Sequence, residues 1–108
     1  MNEREGRLVQ NEALFRSVNE RIEDIHEDLG RVDESEWVCE CGDGNCVERV
    51  RLSHSEYERI RGHSDWFLIK PGHQIPAVER VAEDHGTYLV VEKFEEAIER
   101  AEELDERT

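Results

Sequence analysis

Three cysteines crowd into eight residues, Cys39-Glu40-Cys41-Gly42-Asp43-Gly44-Asn45-Cys46, and any fold for this chain has to give them a use. An odd number of thiols cannot pair off completely, so a disulfide framework would leave one over. The charged start, MNEREGR, lacks the apolar stretch of a signal peptide, and no apolar run approaches the roughly 20 residues that span a bilayer. The expectation is a cytoplasmic protein with reduced thiols, and there a cysteine cluster points to metal ligation. Two thiolates one residue apart reach one ion only if the backbone curls around it. Gly42 and Gly44 offer that freedom, while Asp43 and Asn45 tolerate turn conformations. Zn2+ is the expected ion, because it takes four tetrahedral ligands and three thiolates fall one short of the usual iron–sulfur set.

A fourth ligand must come from elsewhere. His73 follows Pro71-Gly72 in a tight turn after the apolar run Trp66-Phe67-Leu68-Ile69, so the scaffold would hold it rigidly. His54 and His63, near the two ends of a short predicted helix, are the alternatives. His26 lies on a helix flank and His85 at a hairpin tip, and both read as surface residues. The metal set expected is therefore Cys39, Cys41, Cys46 and His73.

At 108 residues the chain supports one core, and that core is thin: 36% of residues are hydrophobic, and the formal charge is −14. A structural zinc would add its binding free energy to folding. The acidity is uneven. Residues 1–36 carry eleven acidic against five basic side chains and residues 92–108 eight against three, so the termini read as solvated helix faces. An acidic surface argues against direct nucleic-acid binding, which draws on clustered Lys and Arg.

The N-terminal segment reads as one helix from about 2 to 29, with Gly30 ending it. Leu8, Phe15, Val18, Ile22, Ile25 and Leu29 form an a/d stripe in which Asn11 fills one d position. That stripe must be buried, either on the home domain or against the same helix of a second copy as a homodimer. Residues 31–36 read as a polar connection, dividing an N-terminal docking helix (1–30) from a small zinc-binding domain (31–108). Within the latter, strands are predicted from Trp37 to Cys39, from Cys46 to Leu52 and over 66–69. A hairpin is predicted from strands at 78–83 and 87–93 around Asp84-His85-Gly86. Ser53 and Glu56 form a capping box for a helix over 54–62, and Phe94, Ala97, Ile98, Ala101 and Leu104 form the stripe of a C-terminal helix over 95–105. The fold class is α+β: a small, mostly antiparallel sheet with a long N-terminal, a short central and a C-terminal helix, stabilised by zinc.

Trp37-Val38-Cys39-Glu40-Cys41-Gly42-Asp43-x-x-Cys46-x-Glu48, then Leu52-Ser53-x-x-Glu56-Tyr57-Glu58-x-Ile60-Arg61, then Pro71-Gly72-His73 resembles a family of small uncharacterised bacterial proteins. Its members share the C-E-C-G-D-x-x-C turn, the E-Y-E segment, the P-G-H turn and a final strand like Val90-Val91-Glu92-Lys93. The likeness runs from about 11 to 105. It implies no activity, but it groups Cys39, Cys41, Cys46 and His73 as one constellation.

Function is therefore expected to be that of a zinc-stabilised interaction or regulatory module, meeting a protein partner or a second copy through its N-terminal helix. The alternative is a redox- or metal-responsive switch in which oxidation of Cys39 and Cys41 ejects the ion. A small metal hydrolase, with Glu40, Asp43 or Glu48 as base, and an acidic nucleic-acid mimic are weaker readings. No phosphate-cradling loop, G-x-S-x-G or H-E-x-x-H occurs.

Overall fold

A computed structural model describes residues 2–29 and 34–105, the side chains of 95–97 excepted. The chain runs α1 (Glu3–Asp28), β1 (Ser35–Val38), β2 (Arg49–Leu52), α2 (His54–Arg61), β3 (Trp66–Ile69), β4 (Glu79–Asp84), β5 (Leu89–Lys93) and α3 (Glu95–Glu103). This is the expected α+β class, with the strands divided between two antiparallel sheets. One is the hairpin β1-β2, with Trp37 opposite Val50, and the other has the order β3-β5-β4. Alternation places Val50 and Leu52 inside and Arg49 and Arg51 outside. The predicted hairpin 78–93 forms as β4-β5, with its bulge within β4, between Val81 and Glu83, and not in the connection. Gly86, at φ +81°, makes the turn.

Three boundaries differ from expectation. Ser35 and Glu36 belong to β1 and not to a connection, while residues 46–48 precede β2 and do not extend it. Phe94 is an exposed N-cap of α3 and not part of its buried stripe, of whose described side chains Ala101 is fully covered. Gly30, expected to end the first helix, and residues 31–33 of the expected connection lie outside the described residues.

The larger difference concerns α1. It forms as predicted, opened by a reciprocal capping box between Asn2 and Glu5. However, the face it buries is Val9, Glu12, Arg16, Asn19 and Glu23, turned from the apolar stripe by about one residue, or roughly 100°. Leu8, Phe15 and Ile22 are half-buried at its margin, and Leu14, Val18, Ile25 and Leu29 are exposed. Periodicity could not reveal this, because the polar residues go inward to meet particular partners. Lys93 of β5 reaches the carboxylates of both Glu12 and Glu79, all three fully buried. Arg16 donates to the carbonyls of Ser64 (2.7 Å) and Ala101 (3.2 Å) and lies 4.3 Å from the centre of the Phe67 ring. The Asn19 amide donates to the Val38 carbonyl at 2.9 Å and accepts the Val38 N–H at 2.8 Å, completing β1 as a neighbouring strand would.

Around this polar seam sits the apolar core of Trp37, Val50, Tyr57, Ile60, Phe67, Leu68, Ile69, Val90 and Val91. Trp37 and Tyr57 stack at 4.2 Å, and the Trp37 indole N–H is satisfied by the Leu52 carbonyl.

Burial holds the Glu12 carboxyl well above the usual carboxylate range, against the lowering pull of Lys93, and a hydrogen bond with Glu79 raises it further. The folded chain therefore binds a proton there that the unfolded chain has released. This contribution is full below the unfolded pKa and is lost as pH rises through the folded one. Glu12→Gln should keep stability near wild type and flatten its decline with rising pH. Lys93→Met, which leaves two carboxyl groups facing without their cation, should cost about 3–5 kcal/mol. Urea melts between pH 5 and 8 read both.

Candidate metal centre

Each member of the Cys39, Cys41, Cys46 and His73 constellation is placed by a different local constraint. Cys39 directly follows β1; its N–H donates to the Glu48 carbonyl, and its Sγ accepts the Lys70 N–H at 3.3 Å. Between Cys41 and Cys46 the chain turns on Asp43, whose Oδ1 accepts the Asn45 N–H and whose carbonyl accepts the Cys46 N–H. His73 stands in a turn closed by its own N–H on the Lys70 carbonyl, after Gly72 at φ +91°. Only glycine adopts that backbone readily.

Gly42 and Gly44 work differently from the expectation, since neither has positive φ. Gly42 sits at a close approach: a Cβ there would lie 2.7 Å from Ile75 Cδ1 and 3.0 Å from Leu8 Cδ2, so these side chains would have to shift. The Gly42 carbonyl accepts the Asn11 amide at 2.8 Å, so the d-position asparagine that interrupts the apolar stripe ties the turn to α1.

The four ligand atoms all lie within 4.8 Å of one another, and His73 Nδ1 is 3.6 Å from both Cys39 Sγ and Cys46 Sγ. Zinc–sulfur bonds of about 2.3 Å and zinc–nitrogen bonds of about 2.0–2.1 Å at a tetrahedral angle predict an S···N edge of about 3.6 Å. These two S···N edges match that value, and the four donors together are suited to hold a metal ion. Hydrogen bonding with Cys39 first, then with His73, the Asp43 backbone and Cys46, pulls the Cys41 thiol down to about 5 against its burial. Cys39, hydrogen-bonded to Cys41 and buried, is pushed up, and burial raises Cys46 as well. Cys39 and Cys41 are 1% exposed and Cys46 is half-buried. A cleft of about 310 Å³ opens beside them, lined by Leu8, Cys41, Asp43, Gly72, His73 and Ile75.

The alternative histidines have other surroundings. His54 is buried with Nε2 near Glu23 and Glu27 at 3.7 and 3.6 Å. His63 stacks on Trp66, and His85 stacks on Tyr88 and bonds Glu83. His26, expected on the surface, is half-buried, bonded to Ser35 and edge-on to Trp37.

Glu40, a candidate base by sequence, is ruled out of that role by its position. It is fully buried, and its carboxylate accepts from Tyr57 Oη (2.6 Å), Asn19 Nδ2 (2.8 Å) and Leu68 N (3.0 Å). Its lone pairs point into the core while the cysteines on either side turn to the cluster. Glu48 is exposed, and among the described residues Asp43 is the one acidic group lining the cleft. Set against family models, curated proteins and solved structures, the chain matches none.

The close approach at Gly42 can be probed directly. Gly42→Ala should cost about 1–3 kcal/mol by overpacking against Ile75 and Leu8. Adding Ile75→Val, which removes the clashing Cδ1, should restore part of that loss. Thermal melts of the single and double variants supply the comparison.

Proposed function

We propose that this chain is a zinc-stabilised protein-interaction module and not an enzyme, with Cys39, Cys41, Cys46 and His73 as a closed structural site and α1 as its docking element. The observation that carries the metal reading is the convergence of three thiols and one imidazole nitrogen within 4.8 Å of one another. Four protein ligands leave no coordination position for a substrate, which favours a structural over a catalytic ion. The docking reading is supported by the outer face of α1. Leu14, Val18, Ile25 and Leu29, spaced 4, 7 and 4 residues apart, form one ridge and are 60, 39, 56 and 75% exposed. Helical geometry sets this ridge roughly 150° from the buried polar face. The net charge of −14 disfavours nucleic acid as the partner.

Elemental analysis of the purified protein should give one zinc per chain. His73→Ala should lose the ion to a chelator concentration that the wild type withstands. Because ion binding is folding free energy, free zinc at 100 times its Kd should add about 2.7 kcal/mol to the stability of the wild type. A folded wild type with no metal would overturn the reading.

The docking face has its own test. Ile25→Asp with Leu29→Asp should leave stability within about 0.5 kcal/mol, since both side chains are exposed. The same pair should abolish any concentration-dependent dimer seen by light scattering. A wild type that stays monomeric at all concentrations would remove the second copy as the occupant and leave a different protein.

A further inference from the structure

Within the constellation one thiol stands apart. Cys39 and Cys41 are 1% exposed, Cys41 at the wall of the cleft, and the Cys39 sulfur is further held by the Lys70 N–H. Cys46 closes an exposed turn, Asp43-Gly44-Asn45, and is itself half-buried, the most accessible of the three cysteine residues. The same turn is where α1 is fastened, through Asn11 on the Gly42 carbonyl and Leu8 against Gly42. From this geometry we propose that Cys46 is a peroxide-reactive ligand whose oxidation opens the metal site and releases the first turns of α1. The proposal rests on the zinc reading above. It differs from the sequence expectation, in which Cys39 and Cys41 are the reacting pair, because Cys46 is the most exposed of the three cysteines.

The chemistry needs hydrogen peroxide as oxidant and nothing else. The Cys46 thiolate attacks one peroxide oxygen; an S–O bond forms, the O–O bond breaks, and the departing hydroxide takes a proton to become water. Cys41 or Cys39, whose sulfur lies within 4.8 Å, then attacks the sulfenic sulfur. An S–S bond forms, the S–O bond breaks, and a second water leaves after protonation. Two thiolates are oxidised and one peroxide is reduced. The ion is left with one thiolate and His73, too few ligands to hold it, and the turn loses the constraint that presents Gly42 to Asn11.

The test uses the full chain, with its zinc content measured beforehand. Hydrogen peroxide is added with dimedone to trap sulfenic acid, released zinc is followed with a chromogenic chelator, and the tryptic peptide 32–49, which holds all three cysteines, is sequenced by fragmentation. The expected result is dimedone on Cys46 alone. Without dimedone, a disulfide that includes Cys46 should form at the rate of zinc release, with faster hydrogen exchange over residues 6–12. Cys46→His, which keeps four ligands, should release zinc on the order of tenfold more slowly at the same peroxide dose. First modification at Cys39 or Cys41, or zinc retained after Cys46 is oxidised, would overturn the proposal. A starting protein without zinc would instead overturn the metal reading, and the order of thiol modification would still judge the place given to Cys46.

Discussion

The carboxylate of Glu40 is the point at which the two sheets, the long helix and the cysteine turn are joined. Its backbone N–H donates to the Leu68 carbonyl at 2.7 Å and its Oε1 accepts the Leu68 N–H, so one residue satisfies both groups on the outer edge of β3. Its Oε2 takes the Asn19 amide from α1 and the Tyr57 hydroxyl from α2. Burial pushes this carboxyl up, and the three donors pull it back. A buried group with that many directional partners is costly to leave unsatisfied, so displacing any one element exposes the others to the penalty. Extended chain alternates its side chains, so placing Glu40 inward turns Cys39 and Cys41 to the opposite side. The orientation of the cysteine cluster therefore follows from the satisfaction of one buried acid.

This explains how much of the molecule could be read from its residues. The clustering of Cys39, Cys41, Cys46 and His73 was legible because its chemistry is local: three thiols in a turn, and a histidine fixed after a tight turn at Gly72. The strands at 66–69 and 79–93 and the helix capped by Ser53 were legible from apolar runs and turn residues, which act over a few positions. The inner face of α1 was not. Glu12, Arg16, Asn19 and Glu23 repeat every three or four residues, which in isolation describes a solvated stripe. The partners of Glu12, Arg16 and Asn19, namely Lys93, Ala101, Val38 and Glu40, stand 19 to 85 positions away. Only the assembled fold can show that a charge is matched. The role of Gly42 was hidden for a similar reason, since close approach to Leu8 and Ile75 is a property of packing and not of the turn.

A polar seam of this kind suits a chain with few apolar residues. Hydrophobic burial alone is nondirectional and would let a 26-residue helix roll on a small core. The contacts of Glu12 with Lys93, of Arg16 with two carbonyls and of Asn19 with both polar groups of Val38 each tolerate only a narrow range of helix rotation. Their net contribution to stability is modest, because the charged groups among them leave water to be paired. What they fix is register.

Fixing the register of the inner face also fixes the outer one. With Asn19 bonded to the edge of β1, Val18 and Ile25 cannot turn inward to bury themselves, although they are the residues that a roll of about one position would cover. The exposed ridge of Leu14, Val18, Ile25 and Leu29 is thus held out by the polar contacts behind it. A surface held in one orientation before binding loses little freedom when a partner covers it, so more of the apolar area buried there appears as affinity. The same buried polar side chains that make α1 look wrongly packed are what would make it a prepared docking surface.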